Sequence, residues 1–348
     1  MRKQSCDNVV TKMRKDDINN RETIYLSGEI AMTSQSKVVS DEKVSQELLE
    51  ALDNLFGLHP GFRPVHAKGI MLSGNFTPSG EVAGLTRAPH VLSPSTKVIV
   101  RFSNFGGVPN IPDTDPNASP RGFAVRFYLA PHVHTDIIGH SHNGFPTRTG
   151  EEFLELARAL AVSGADAPKP TPLDLFMSKH PKALHFFQSP NPIPSSFAKE
   201  SFFAVSAFRF TNKEGTSCYG RFQIHPEDGN DYLDSTVVAG KGANFLFEEI
   251  EQRVKRTPVR LRIIVEIAEA GDNVSDATVT WPADRRHIDF GTVTLTERVS
   301  DDDEEARKII FDPIPRVDGI DPSDDPLIDV RAALYLLSGR RRRAAVAK

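Results

Sequence analysis

The stretch KVIVRFSNFGGVPNIPDTDPNASPRGFAVRFY, Lys97 to Tyr128, decides the fold. It opens on KVIVRF (Lys97–Phe102), a β-branched run, and closes on GFAVRFY (Gly122–Tyr128), a second strand-like run. Gly, Pro and Asp crowd the segment between them, as a long turn-forming loop requires. Upstream, HAKGIMLSGNF (His66–Phe76) reads as a strand that bends at Gly69 and Gly74. Downstream, SFFAVSAFRFTN (Ser201–Asn212), SCYGRFQIH (Ser217–His225) and the alternating VRLRIIVEI (Val259–Ile267) read as further strands. Helical spacing marks Ser45–Phe56, Asn244–Arg256 and Glu151–Val162, the last opened by Thr149 with acidic residues in its first turn. Short helical pieces are expected in the proline-rich Pro168–Pro194. A final helix is expected over Ile328–Leu337, ended by Ser338, Gly339 and an arginine run. These elements predict an α+β fold, an antiparallel β-barrel with surrounding helices. Residues 1–40 read as a mobile polar arm, 41–337 as the core and 338–348 as a basic tail.

Bulk properties narrow the function. A net charge of −4 over 348 residues argues against nucleic acid or membrane as a bulk partner. No apolar run is long enough for a membrane span, and the polar N-terminus lacks a secretory pattern. Cys6 and Cys218 form neither a metal motif nor a disulfide framework, so a cytoplasmic setting is expected. Phe outnumbers Trp and Tyr, 22 against 1 and 5. That bias means either a β core packed with rings or a pocket for a flat apolar cofactor.

Three segments carry chemistry: RPVHAKG (Arg63–Gly69), VRFSNFGG (Val100–Gly107) with SPRGFAVRFY (Ser119–Tyr128), and RAALY (Arg331–Tyr335). Each alone is commonplace. In this order and spacing they resemble the haem catalase superfamily, and SAFRFTNKEG (Ser206–Gly215) resembles a strand of the same barrel. The resemblance implies a b-type haem (heme b) whose iron is bound by Tyr335, the metal ligand. A free phenol has a pKa of about 10, so a phenolate ligand needs positive charge beside it; Arg331, one turn earlier on the same face, would supply it. His66 would act as acid and base on the peroxide, with Ser103 fixing its tautomer. Arg63 and Arg101 would hold the haem propionates, and Val65 and Phe153 would line the cofactor.

Two departures from the family bear on activity. After DIIG the family places a peroxide-binding asparagine; here His140 stands in that place, with Asn143 of the same loop as the alternative donor. The family also has a histidine where Ser206 precedes the AFRF run, so hydrogen bonding beneath the haem is altered. Both changes weigh against rapid dismutation of hydrogen peroxide. The sequence also ends soon after Tyr335, where full catalases continue. GFPTRTGEEFLEL (Gly144–Leu156) and VDGIDPSDDP (Val317–Pro326) resemble the short catalase-related peroxidases. A monomer or small homo-oligomer is therefore expected.

The resulting expectation is a haem peroxidase that uses a peroxide to oxidise a small organic substrate, with weak catalase activity. Alternatives are a lipid hydroperoxide isomerase or lyase, a true catalase, and a haem-binding module without activity. Outside the resemblance, His132, His134, His140 and His142 could form a metal site, against a plain reading as loop-edge histidines. Arg340–Arg343 could contact nucleic acid or anionic lipid, against a plain reading as a solvated tail.

Overall fold

The computed structural model describes residues 41–300 and 307–346. The expected arm at 1–40 lies outside them. From Val44 onward the chain forms one unit. Its strands are β1 (Gly69–Pro78), β2 (Thr96–Ser103), β3 (Gly122–Ala130), β4 (Val133–His140), β5 (Phe202–Phe203), β6 (Phe208–Thr211), β7 (Ser217–Pro226), β8 (Val259–Ile267), β9 (His287–Arg298) and β10 (Ile320–Pro322). Antiparallel pairing runs β7-β5-β4-β3-β2-β1-β9-β8 and closes from β8 back to β7, which makes an eight-stranded barrel. Strand β6 also pairs with β7, and β10 pairs with β6. The expected α+β barrel is what forms.

An eight-stranded barrel is just wide enough for side chains to fill it, and here phenylalanine fills it. Phe76, Phe127, Phe222 and Phe290, all buried, meet edge-to-face or tilted at 5.1–5.7 Å. The sequence predicts one strand over Ser201–Asn212. The structure breaks it into β5 and β6, and buried Ser206 lies in the irregular turn between them.

Outside the barrel lie α1 (41–56), α2 (Pro89–Leu92), α3 (Gly150–Ala161), α4 (Pro172–Lys179), α5 (Pro181–Gln188), α6 (Ser235–Ala239), α7 (Phe245–Arg256) and α8 (Leu327–Val346). Thr149 caps α3, its hydroxyl accepting the Glu152 N–H, as the sequence predicts. Leu48, Leu52, Leu154, Val330 and Leu334 pack α1, α3 and α8 together beside the barrel. Among the described residues no helix is long and apolar enough to cross a membrane.

The last helix departs from expectation. It passes through Ser338 and Gly339 and continues to Val346. Gly339 is a packing glycine, because a Cβ there would collide with Ile310. Of the arginines that follow, Arg340 is exposed as a solvated tail would have it, whereas Arg341, Arg342 and Arg343 have partners. Arg341 pairs with Asp53, and Arg343 donates to the Lys308 carbonyl at 3.1 Å. Buried Arg342 donates to the Arg307 and Ile309 carbonyls at 2.9 and 3.0 Å.

Candidate active site

His66 sits in the loop that enters β1, with φ of 57°. A bulky residue in that left-handed region costs about 1–3 kcal/mol and persists only where its surroundings hold it. Here they do. The His66 N–H donates to the Phe105 carbonyl at 2.7 Å, and the His66 carbonyl accepts from Arg101 Nη2 at 2.9 Å. The ring packs edge-on against Phe105, and Nδ1 lies 3.1 Å from Ser103 Oγ. Arg101 and Ser103 alternate on β2, so both point from one face of the strand toward His66. Burial, then the Arg101 charge, pushes the imidazole down to about 3, so the ring is neutral near pH 7. Part of its surface stays open to the cavity.

His140 ends β4, paired with Gly122 on one side and Phe203 on the other. Its Nδ1 accepts the His142 N–H at 3.3 Å. In a neutral ring that leaves Nε2 as the nitrogen carrying hydrogen, a fixed donor. Burial, then the proximity of His142, His66 and Arg331, lowers this ring to about 3 as well. His66 and His140 line the same cavity, of about 540 Å³, whereas Asn143 does not line it. Phe153 and Val65 also face it, with Phe153 5.3 Å from Phe145.

Tyr335 and Arg331 line the same cavity from α8, one turn apart. The Arg331 guanidinium stands 5.9 Å from the Tyr335 ring centre, and its Nη1 donates weakly to Ser206 Oγ at 3.5 Å. Arg63, Arg101 and Arg342 form the remaining charge. Arg63 is pushed well below its usual range by burial, then by Arg101 and Arg342, with Tyr335 acting in the opposite direction. Burial and Arg342 take Arg101 down to about 9; burial and Arg343 take Arg342 to about 10. These guanidiniums bond only carbonyls, Arg342 Nε has no partner, and none pairs with a carboxylate of the described residues. Buried like charges of this kind call for an anion. A flat macrocycle with carboxylates on one edge, iron at Tyr335 and carboxylates at the arginines, fits this donor set.

A model of the catalase family matches residues 60–347. The chain belongs to the catalase family. It is 31% identical over 299 residues to a catalase-related peroxidase of Synechococcus elongatus, covering 85% of this chain and 88% of that protein. A catalase-related peroxidase of Mycolicibacterium paratuberculosis is 30% identical, with 85% and 94% covered. The crystal structure of a fungal catalase superposes with a TM-score of 0.71 at 19% identity. That match covers 81% of this chain but only 59% of the longer fungal one. The present catalase-family chain is thus a haem oxidoreductase of the peroxide-using kind.

Sequence reasoning missed Arg342 in this site. It lies seven residues after Tyr335, two turns along the same face, but the surrounding arginine run masks it. It also missed Phe186 and Phe187 of α5, which line the cavity. The four-histidine metal reading is not supported. His134 pairs with Tyr128 near the start of β4, His140 stands at its other end, and His142 packs on Phe186. Among the described residues no group of three or more metal-ligating side chains comes together.

Proposed function

We propose that this catalase-family enzyme is a peroxidase, reducing a peroxide while oxidising a small organic molecule, with only weak dismutation of hydrogen peroxide. The observation that carries the reading is the pair His66 and His140 on one cavity, with Tyr335 and Arg331 lining the same space. Tyr335 would hold the iron of haem b, Arg63, Arg101 and Arg342 its propionates, and Val65 and Phe153 its apolar surface. When bound, that group supplies the two electrons that reduce the peroxide O–O bond. His66 supplies the proton transfer. With Nδ1–H donating to Ser103 Oγ, the tautomer this role requires, the neutral ring has Nε2 free to take a proton from one peroxide oxygen and return it to the other, so that water can leave.

His140 sets the balance between reactions. Its Nε2–H can donate to a peroxide oxygen, as the family's asparagine does, but a ring fills more of the cavity than an amide. A second hydrogen peroxide needs tight placement, and a misplacement of about 1 Å can cost roughly 10²-fold. An organic donor that reaches the cavity wall tolerates the change better. The test compares oxygen evolution with dye oxidation on the haem-loaded protein. Dye oxidation should dominate; oxygen evolution at the speed of a full catalase overturns the reading. The apolar wall also suits a fatty-acid hydroperoxide that serves as its own oxidant, and product analysis with such a hydroperoxide separates the two.

A further inference from the structure

We propose that the cavity includes an aromatic compartment beside His140 that takes an uncharged phenol as reducing substrate, an inference that rests on the peroxidase reading above. A row of rings leads from His140 to the surface. The His140 and Phe186 centroids lie 6.4 Å apart at 86°, and Phe186 meets Phe187 at 5.5 Å and 78°. Phe187 lines the cavity yet is 49% exposed, so it stands at the mouth. His142 packs on Phe186 from another side at 4.3 Å, and Phe145 sits 6.3 Å from His140.

Charge decides which molecule suits this wall. No aspartate, glutamate or lysine lines the cavity; its charged residues are Arg63, Arg101, Arg331 and Arg342. Arg331 stands over Tyr335, Arg63 feels the Tyr335 charge, and Arg101 and Arg342 neighbour Arg63. A cation entering here would lose hydration and gain no opposite charge. An anion would lose hydration too and gain little, because the arginines are already engaged by the propionates and by Tyr335. An uncharged ring gains edge-to-face packing and buries apolar area. Its hydroxyl finds a polar handle in the His140 Nε2–H that the His142 N–H fixes as donor. The stoichiometry closes with hydrogen peroxide as oxidant. Each phenol gives up one electron and its hydroxyl proton and leaves as a phenoxyl radical. Two phenols supply the two electrons and two protons that, with the O–O bond broken, turn one hydrogen peroxide into two waters.

The test titrates haem-loaded protein, without peroxide, with phenol and its 4-methyl, 4-ethyl and 4-propyl derivatives, following the Soret difference spectrum. Affinity should rise about fourfold per added methylene, the yield of burying one CH₂. Phe187→Glu and Phe186→Ala should flatten the series while a normal Soret band reports a folded, loaded protein. A flat series in the wild-type protein, or the full rise in both variants, overturns the compartment. Peroxide added to wild-type protein tests the underlying reading separately. If the series rises but peroxide leaves the Soret band unmoved, the peroxidase reading fails and the reducing role fails with it. A flat series beside a normal peroxide response defeats the compartment alone.

Discussion

Gly122 has no side chain because His66 occupies that space: a Cβ there would lie 2.6 Å from His66 Nδ1 and would collide with Ser103 Oγ. The glycine thus protects the Ser103–His66 contact from the neighbouring strand. Gly122→Ala should keep haem but push His66 off its bond. The second-order rate of the peroxide-driven Soret change should fall roughly 10²-fold, the scale of a displaced acid–base group. A stopped-flow trace matching wild type would show that His66 does not depend on this gap.

Removing the group itself should do as much. His66→Ala should slow the same step by about 10²-fold or more while the haem stays bound. The pH profile carries the electrostatic part of the account. Burial holds the ring near 3, so His66 stays an available base well below neutrality. The wild-type rate should be level from about pH 8 down to about pH 5, whereas an unshifted histidine would lose it below about 6.5. A tenfold fall per pH unit beginning near that value would contradict the buried, neutral ring.

His140→Asn should raise dismutation relative to dye oxidation, because an amide donates without filling the cavity as a ring does. An oxygen electrode beside a dye assay, on both proteins, reads the ratio. A ratio that does not move would mean that His140 is not what sets the reaction.

Stability offers a test remote from the cavity. His90 is buried against the rings of Phe76, Phe127 and Phe290, its Nδ1 lacks a partner, and burial takes it down to about 3. The unfolded ring binds its proton near 6.5, so the unfolded state holds more protons between that pH and about 3, and stability is lost as the pH drops through this window. His90→Leu removes that penalty. Its advantage over wild type should grow by about 1.4 kcal/mol per pH unit as pH drops below about 6.5. Denaturant melts at several pH values measure it; an advantage that does not depend on pH would mean that His90 is not held neutral.

Much of this was legible in the residues. RPVHAKG, VRFS, PRGFAV and RAALY are contiguous, and VRFS and RAALY place their side chains through local geometry, a strand alternation and a helix turn, whereas His66 is held in its loop by Phe105 and Arg101. Strand β9 was not legible, for a physical reason. Phe290 is buried, then Val293 and Leu295, so the parity of buried positions flips at Gly291. There φ is +144° and the register against β8 shifts. A bulge of this kind erases the period of two on which strand reading depends. The end of α8 misled in the opposite way. Gly339 carries the signature of a helix stop, yet contact with Ile310 explains it, and only the folded chain brings Ile310 near. The aromatic row of α5 was hidden too, because nothing in HFFQ says that Phe186 packs against His142.

The central claim is that Tyr335 holds a haem iron in the cavity that His66 and His140 share. The absorption spectrum of the purified protein, wild type beside Tyr335→Phe, tests it most directly. Wild type should carry a Soret band that changes on adding peroxide. Tyr335→Phe removes the phenol oxygen and should lose haem, or keep it with a shifted Soret band and little peroxide response. A Tyr335→Phe protein with a full complement of haem, an unchanged Soret band and an undiminished peroxide response would contradict the account.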